Sequence, residues 1–119
     1  MIASSSQETY SPDNLVAGSG MSIATRSGTL ITGQSLARGA VVGRITASGK
    51  LTECDPGASD GSQVAIGILV HDTDASAADK VCQIYVAGEF HIDEMTWHAG
   101  FSTDLLKTAA FDDTPIVLR

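Results

Sequence analysis

Aromatic residues are scarce in this chain: two Tyr, three Phe and one Trp make up 5% of it. That leaves little for an exposed aromatic platform, so a β-rich binding or adhesive module of the carbohydrate-binding kind, attached to a larger assembly, is the alternative reading rather than the first. Cations are few as well. Seven Lys and Arg stand singly between Arg26 and Arg119 against 14 Asp and Glu, for a formal charge of −7. Direct nucleic-acid binding needs clustered cations to displace counterions from phosphates, and no such cluster exists here. The two cysteines, Cys54 and Cys82, have neither Cys-x-x-Cys spacing nor the density of a disulfide scaffold, which points to reduced thiols. The longest apolar run, residues 64–70, falls far short of the ~20 residues that cross a bilayer. No charged and apolar leader opens the sequence, so a soluble, unsecreted protein with no membrane partner is expected.

Catalytic and metal motifs are missing too. His71, His91 and His98 with the two cysteines match no zinc spacing. Asp72-Thr73-Asp74 begins like a calcium loop, but Ala77 and Gln83 occupy the places of the required Gly and Glu. Asp93 and Glu94 are adjacent and diverge on a strand. No Gly-x-Ser-x-Gly elbow, Walker loop or dinucleotide loop is present. The sequence therefore predicts no enzyme, no cofactor and no metal.

What is present is a chain of 119 residues whose apolar 43% lies in short runs of Val, Ile, Leu and Ala, the texture of a small β-rich core. A domain of this size buries only about two-thirds of its surface, so oligomerisation is an expected source of stability. Residues 1–20 are polar and rich in Ser and Gly. They cannot offset their ordering entropy alone and read as an arm, disordered when free, ahead of a body at 21–119. Tyr10, Leu15 and Val16, with Pro12 among them, are its expected anchors on a partner.

From Met21 onward, Ser27-Gly28 and Ser48-Gly49 each separate two β-compatible runs and predict two hairpins, over 21–32 and 41–53. Residues 54–63 form a turn-rich loop. The clearest strand is 64–70, with Val64, Ile66, Ile68 and Val70 on one face. Ala65 and Gly67 leave its other face small, a sign of close backbone approach. A second polar loop, 71–79, precedes an alternating strand over 81–87, with Cys82, Ile84 and Val86 on one side. Gly88 then makes a third hairpin or a bulge, with Phe90 and Ile92 inward and His91 outward. Ser102 is the expected cap of a short helix to about Ala110 with an apolar stripe of Leu105, Leu106, Ala109 and Ala110. A final strand covers 116–118. Trp97, near Met95 and Phe101, reads first as a core ring and alternatively as part of a subunit interface.

The ordered set SGTLITGQSLARGAVVGRI, SGKLTECDPGASDGSQVAIGIL and YVAGEFHIDEMTW resembles the head decoration proteins of lambda-like phages, from about Thr29 to Trp97. The matching positions are Gly67 to Leu69, the loop from Asp72 to Asp79, Gly88 with Phe90, and Asp93-Glu94 leading to Trp97. The chain departs from the best-known members at 34–39, where they carry Thr-Pro-Leu, and at His98, where they carry Pro.

The resemblance implies a mainly β fold with small helical elements, β-clip-like and trimeric. It further implies homotrimers at the local three-fold sites on the outside of an expanded capsid, with the arm on the major capsid protein. Such a protein is made in the host cytoplasm, resides in the virion and stabilises the shell against DNA pressure. The trimer interface would then draw on Trp97 and Phe101.

Overall fold

Residues 15–17 and 23–119 are described by a computed structural model. Most of the expected arm, Tyr10 and Pro12 included, lies outside the described residues. The strands are β1 (Ala24–Leu30), β2 (Ser35–Leu36), β3 (Val41–Arg44), β4 (Leu51–Glu53), β5 (Ala65–Leu69), β6 (Thr73–Asp74), β7 (Lys80–Phe90) and β8 (Ile116–Leu118). A 3-10 turn over Ile92–Glu94 and one helix, α1 (Asp104–Ala109), lie between β7 and β8. The mainly β class with small helical pieces is as expected.

The strands β1, β4, β3, β5 and β7 neighbour one another in that order, and β7 pairs back onto β1. The sheet therefore closes into a barrel-like ring, which removes most of the exposed edge that a small open sheet would carry. All five strands supply one apolar cluster: Leu30, Leu51, Val42, Leu69, Cys82 and Ile84 belong to it. A second cluster on the other side of the sheet gathers Leu15, Ile68, Tyr85, Phe90, Met95 and Phe111. The strand β8 runs parallel to the end of β7, with Gly88 opposite Ile116 and Phe90 opposite Leu118.

The hairpin expected over 41–53 forms, with Gly49 at φ +74° in its turn and Ile45 N donating to Lys50 O at 2.9 Å. The one expected at Ser27-Gly28 does not. There β1 runs straight through, antiparallel to β7, with Gly28 opposite Cys82. Its glycine answers a packing need instead of a turn: a Cβ at Gly28 would stand 2.5 Å from Leu51 Cδ1.

Strand 64–70 also departs from plain alternation. The register slips between Val42 and Gly43, which face Gly67 and Ala65, and such a bulge switches which side chains share a face. Ala65, Ile68 and Val70 thus join one cluster while Ile66 and Leu69 face the other, and Val64 is exposed. The small face has its expected cause. A Cβ on Gly67 would come within 2.8 Å of Tyr85 O and of Ile84 Cδ1.

In β7 the alternation holds, with Cys82, Ile84 and Val86 toward the ring and Tyr85 on the other side. Gly88, at φ +136°, lets the strand continue to Phe90 rather than reverse. Ile92, expected inward beside Phe90, is only half-buried, because the chain leaves the strand for the 3-10 turn. The helix is capped one residue later than expected: Thr103 Oγ1 accepts from Leu106 N at 3.2 Å. No residue of α1 is buried. Of its expected inward stripe only Ala110, half-buried just past the helix, packs against the cluster that holds Phe101 and Phe111, while Leu105, Leu106 and Ala109 are exposed.

Candidate functional site

Leu15 and Val16, expected to wait for a partner, are seated on this chain's own body. Leu15 is 2% exposed within the second cluster and Val16 packs against it. The backbone locks them there: Val16 bridges Phe90, His91 N donates to Leu15 O at 2.8 Å, and Ala17 N donates to Glu89 O at 2.9 Å. Two apolar side chains and a pair of ladder bonds outweigh the local polarity of the segment. The body therefore includes 15–17, ahead of the boundary expected at Met21.

Trp97 and Phe101 are brought together, edge to face with centroids 5.0 Å apart, and Phe111 completes the group at 6.3 Å from Trp97. Phe101 is buried and Trp97 half-buried, and Trp97 Nε1 donates to Ile92 O at 3.1 Å. Phe101 has thus spent its ring inside the chain. Of the two, only the outer side of Trp97 is open to a neighbour.

The aspartates of the polar loops hold backbone. Asp72 Oδ1 accepts from Arg38 N at 2.8 Å, and Asp74 Oδ1 accepts from Ser76 N at 3.0 Å. Asp79 accepts from Thr32 N at 2.8 Å and pairs with Lys50 Nζ at 2.6 Å. The Ser76, Ser62 and Lys50 side-chain hydrogen bonds hold the carboxyls of Asp74, Asp60 and Asp79 respectively below the usual value. Arg38 crosses the polar layer to donate to Val70 O and Tyr85 Oη at 2.8 and 2.9 Å. Both cysteines are free and buried, and burial pushes the Cys54 thiol up to about 11. Among the described residues no group of three His, Cys, Asp or Glu is placed to hold a metal. No helix among them is long and apolar enough to cross a membrane.

Two surface features escaped the sequence reading. On α1, Leu105 is 77% exposed and Leu106 43%. Residues of β1, β3, β5 and β7 together line a groove of about 390 Å³. Ile66, Ile84 and Val86 line it, with Arg26, Arg44 and Asp113 around them. The leucines have helical spacing that a core stripe would also have, and the arginines are far apart in sequence, so neither feature had a distinguishing local signal.

A family model described as bacteriophage lambda head decoration protein D matches residues 4–117. No curated protein matches the chain.

Proposed function

The chain belongs to the family of the bacteriophage lambda head decoration protein D, and from that premise we propose that it binds as homotrimers at the local three-fold positions on the outside of the expanded capsid. Association with a phage head is what the family implies; trimers, three-fold sites and the outer face are the proposal. The work done there is mechanical. A trimer that bridges neighbouring major capsid protein subunits adds interface that must break before the shell opens under the pressure of packaged DNA. Catalysis has no part in this reading, and neither nucleic acid nor membrane is a partner: at −7 net charge the protein is repelled by phosphates.

The observation that carries the reading is the family match over residues 4–117, which takes in most of the segment ahead of Leu15. We assign residues 1–14 as the capsid-binding arm, with Tyr10 and Pro12 in it, and Leu15 and Val16 as its root. An arm that adds a strand to an exposed capsid edge gains main-chain hydrogen bonds at the cost of its ordering. Three arms on one trimer act together through effective concentration, so weak single contacts give tight binding.

The test is co-sedimentation with expanded, undecorated capsids followed by imaging. The full chain is expected to pellet with capsids and add density at the three-fold positions, whereas a chain lacking residues 1–14 stays folded and remains in the supernatant. Full capsid affinity in the shortened chain would remove the arm from the mechanism. Failure of the full chain to bind any expanded capsid would remove the function.

A further inference from the structure

We infer that the exposed Asp104-Leu105-Leu106 corner of α1 docks into the Arg26/Arg44 groove of a second copy of this chain, and that this contact, repeated head to tail, closes the oligomer. The inference rests on the homotrimer in the proposed function and names the surfaces that would build it.

Leu105 and Leu106 are exposed at 77% and 43% on a helix that buries none of its own residues. Two adjacent leucines left in water on a six-residue helix gain nothing for the monomer, and exposed apolar groups rimmed by charge mark contact surfaces. Asp104 stands beside them on the same exposed turn.

The groove has the complementary character. Ile66, Ile84 and Val86 give it an aliphatic lining, and Arg26 and Arg44 line it as well. Among the described residues neither guanidinium makes an ion pair, although Asp113 lines the same groove. Two arginines without an ion pair among the described residues, beside an aliphatic lining and on a chain with only seven cations, call for an apolar segment that carries a carboxylate. The aspartate and leucines of α1 are such a segment.

Both halves lie on one chain and are different surfaces, so the contact is heterologous and generates a ring when the rotation closes.

The test is the oligomeric state of the full chain, without capsids, by sedimentation velocity over a concentration series. The wild type is expected to be trimeric. Leu105→Ser with Leu106→Ser, Arg26→Glu with Arg44→Glu, and Asp104→Arg should each weaken association at least tenfold while leaving the circular dichroism spectrum unchanged. Combining Asp104→Arg with Arg26→Glu and Arg44→Glu on one chain should restore much of the loss, a rescue that mere disturbance of the fold would not produce. Wild-type association in all three variants, or no recovery in the combined one, overturns this contact and leaves the trimer standing on other surfaces. A wild type that stays monomeric throughout overturns the contact and the solution trimer together, while capsid decoration is read separately in the pelleting assay.

Discussion

Glu89 and Arg119 form an ion pair, with Nη2 of Arg119 2.9 Å from Oε2 of Glu89, in which the carboxylate is 10% exposed and the guanidinium 61%. The same Glu89 accepts Ala17 N on its carbonyl. One residue of β7 therefore fastens the segment entering the body at 15–17 and the strand β8 leaving it. Removing Arg119 leaves a nearly buried carboxylate without its cation, whereas most of the guanidinium is in water already. Arg119→Ala is expected to lower the unfolding free energy by roughly 1–2 kcal/mol. Because Glu89→Gln removes the charge that needs pairing, Arg119→Ala should cost much less in that background. A urea double-mutant cycle showing equal costs in both backgrounds would contradict the pairing.

The root of the arm separates stability from binding. Leu15 is 2% exposed among Phe90, Met95 and Phe111, and losing a buried leucine side chain costs about 2–5 kcal/mol. Leu15→Ala should shift the urea midpoint accordingly, whereas removal of residues 1–14 should move it by less than about 0.5 kcal/mol equivalent, as is usual for changes away from core and network features. Deletion through residue 20 mixes the two effects, since it takes Leu15 and the Val16 bridge with the arm. A Leu15→Ala chain as stable as wild type would mean that the segment contributes nothing to the core.

Much of this was legible in the sequence because period-2 alternation and glycine-centred turns are local signals. The strand over 81–87, the hairpin at Gly49 and the final strand at 116–118 were all readable that way. What failed depended on distant partners. Gly28 signals a turn to its neighbours but packs under Leu51, and the faces of 64–70 were scrambled by a bulge opposite Val42 and Gly43. The leucines of α1 fit an inward stripe, yet it is Phe101 and Phe111 on either side of the helix that enter the core. Arg26, Arg44 and Ile84 come to line one groove because β7 pairs with β1 and β5, and β5 in turn with β3.

The cysteines should be nearly inert in the native state. Cys54 is wholly buried and its thiol sits at about 11, pushed up first by burial and then by Asp55 and Glu53. Cys82 is raised by burial too. The thiolate is the reactive form, so near pH 8 only about one Cys54 in a thousand is ionised. An aromatic disulfide reagent should label neither residue on the timescale of minutes, and both at once when urea is added. Rapid stoichiometric labelling of the folded chain would show that the clusters open far more readily than their packing suggests.

Acid should loosen the polar loops before it reaches the barrel. The carboxyls of Asp60, Asp74 and Asp79 are held below their ordinary 3.8, by the side-chain bonds from Ser62, Ser76 and Lys50 respectively. The folded chain therefore binds these protons less readily than the unfolded one. Their contribution is complete above the unfolded value and is lost as pH falls through the lowered folded values, so the decline lies below about pH 4. All three groups face water, so each effect is small and they act as a set. The urea midpoint should be level just above that range and fall beneath it. Asp79→Asn, which cannot titrate and also lacks the charge facing Lys50, should start lower at neutral pH and fall less steeply. An identical acid slope in wild type and Asp79→Asn would place the acid sensitivity in other carboxylates.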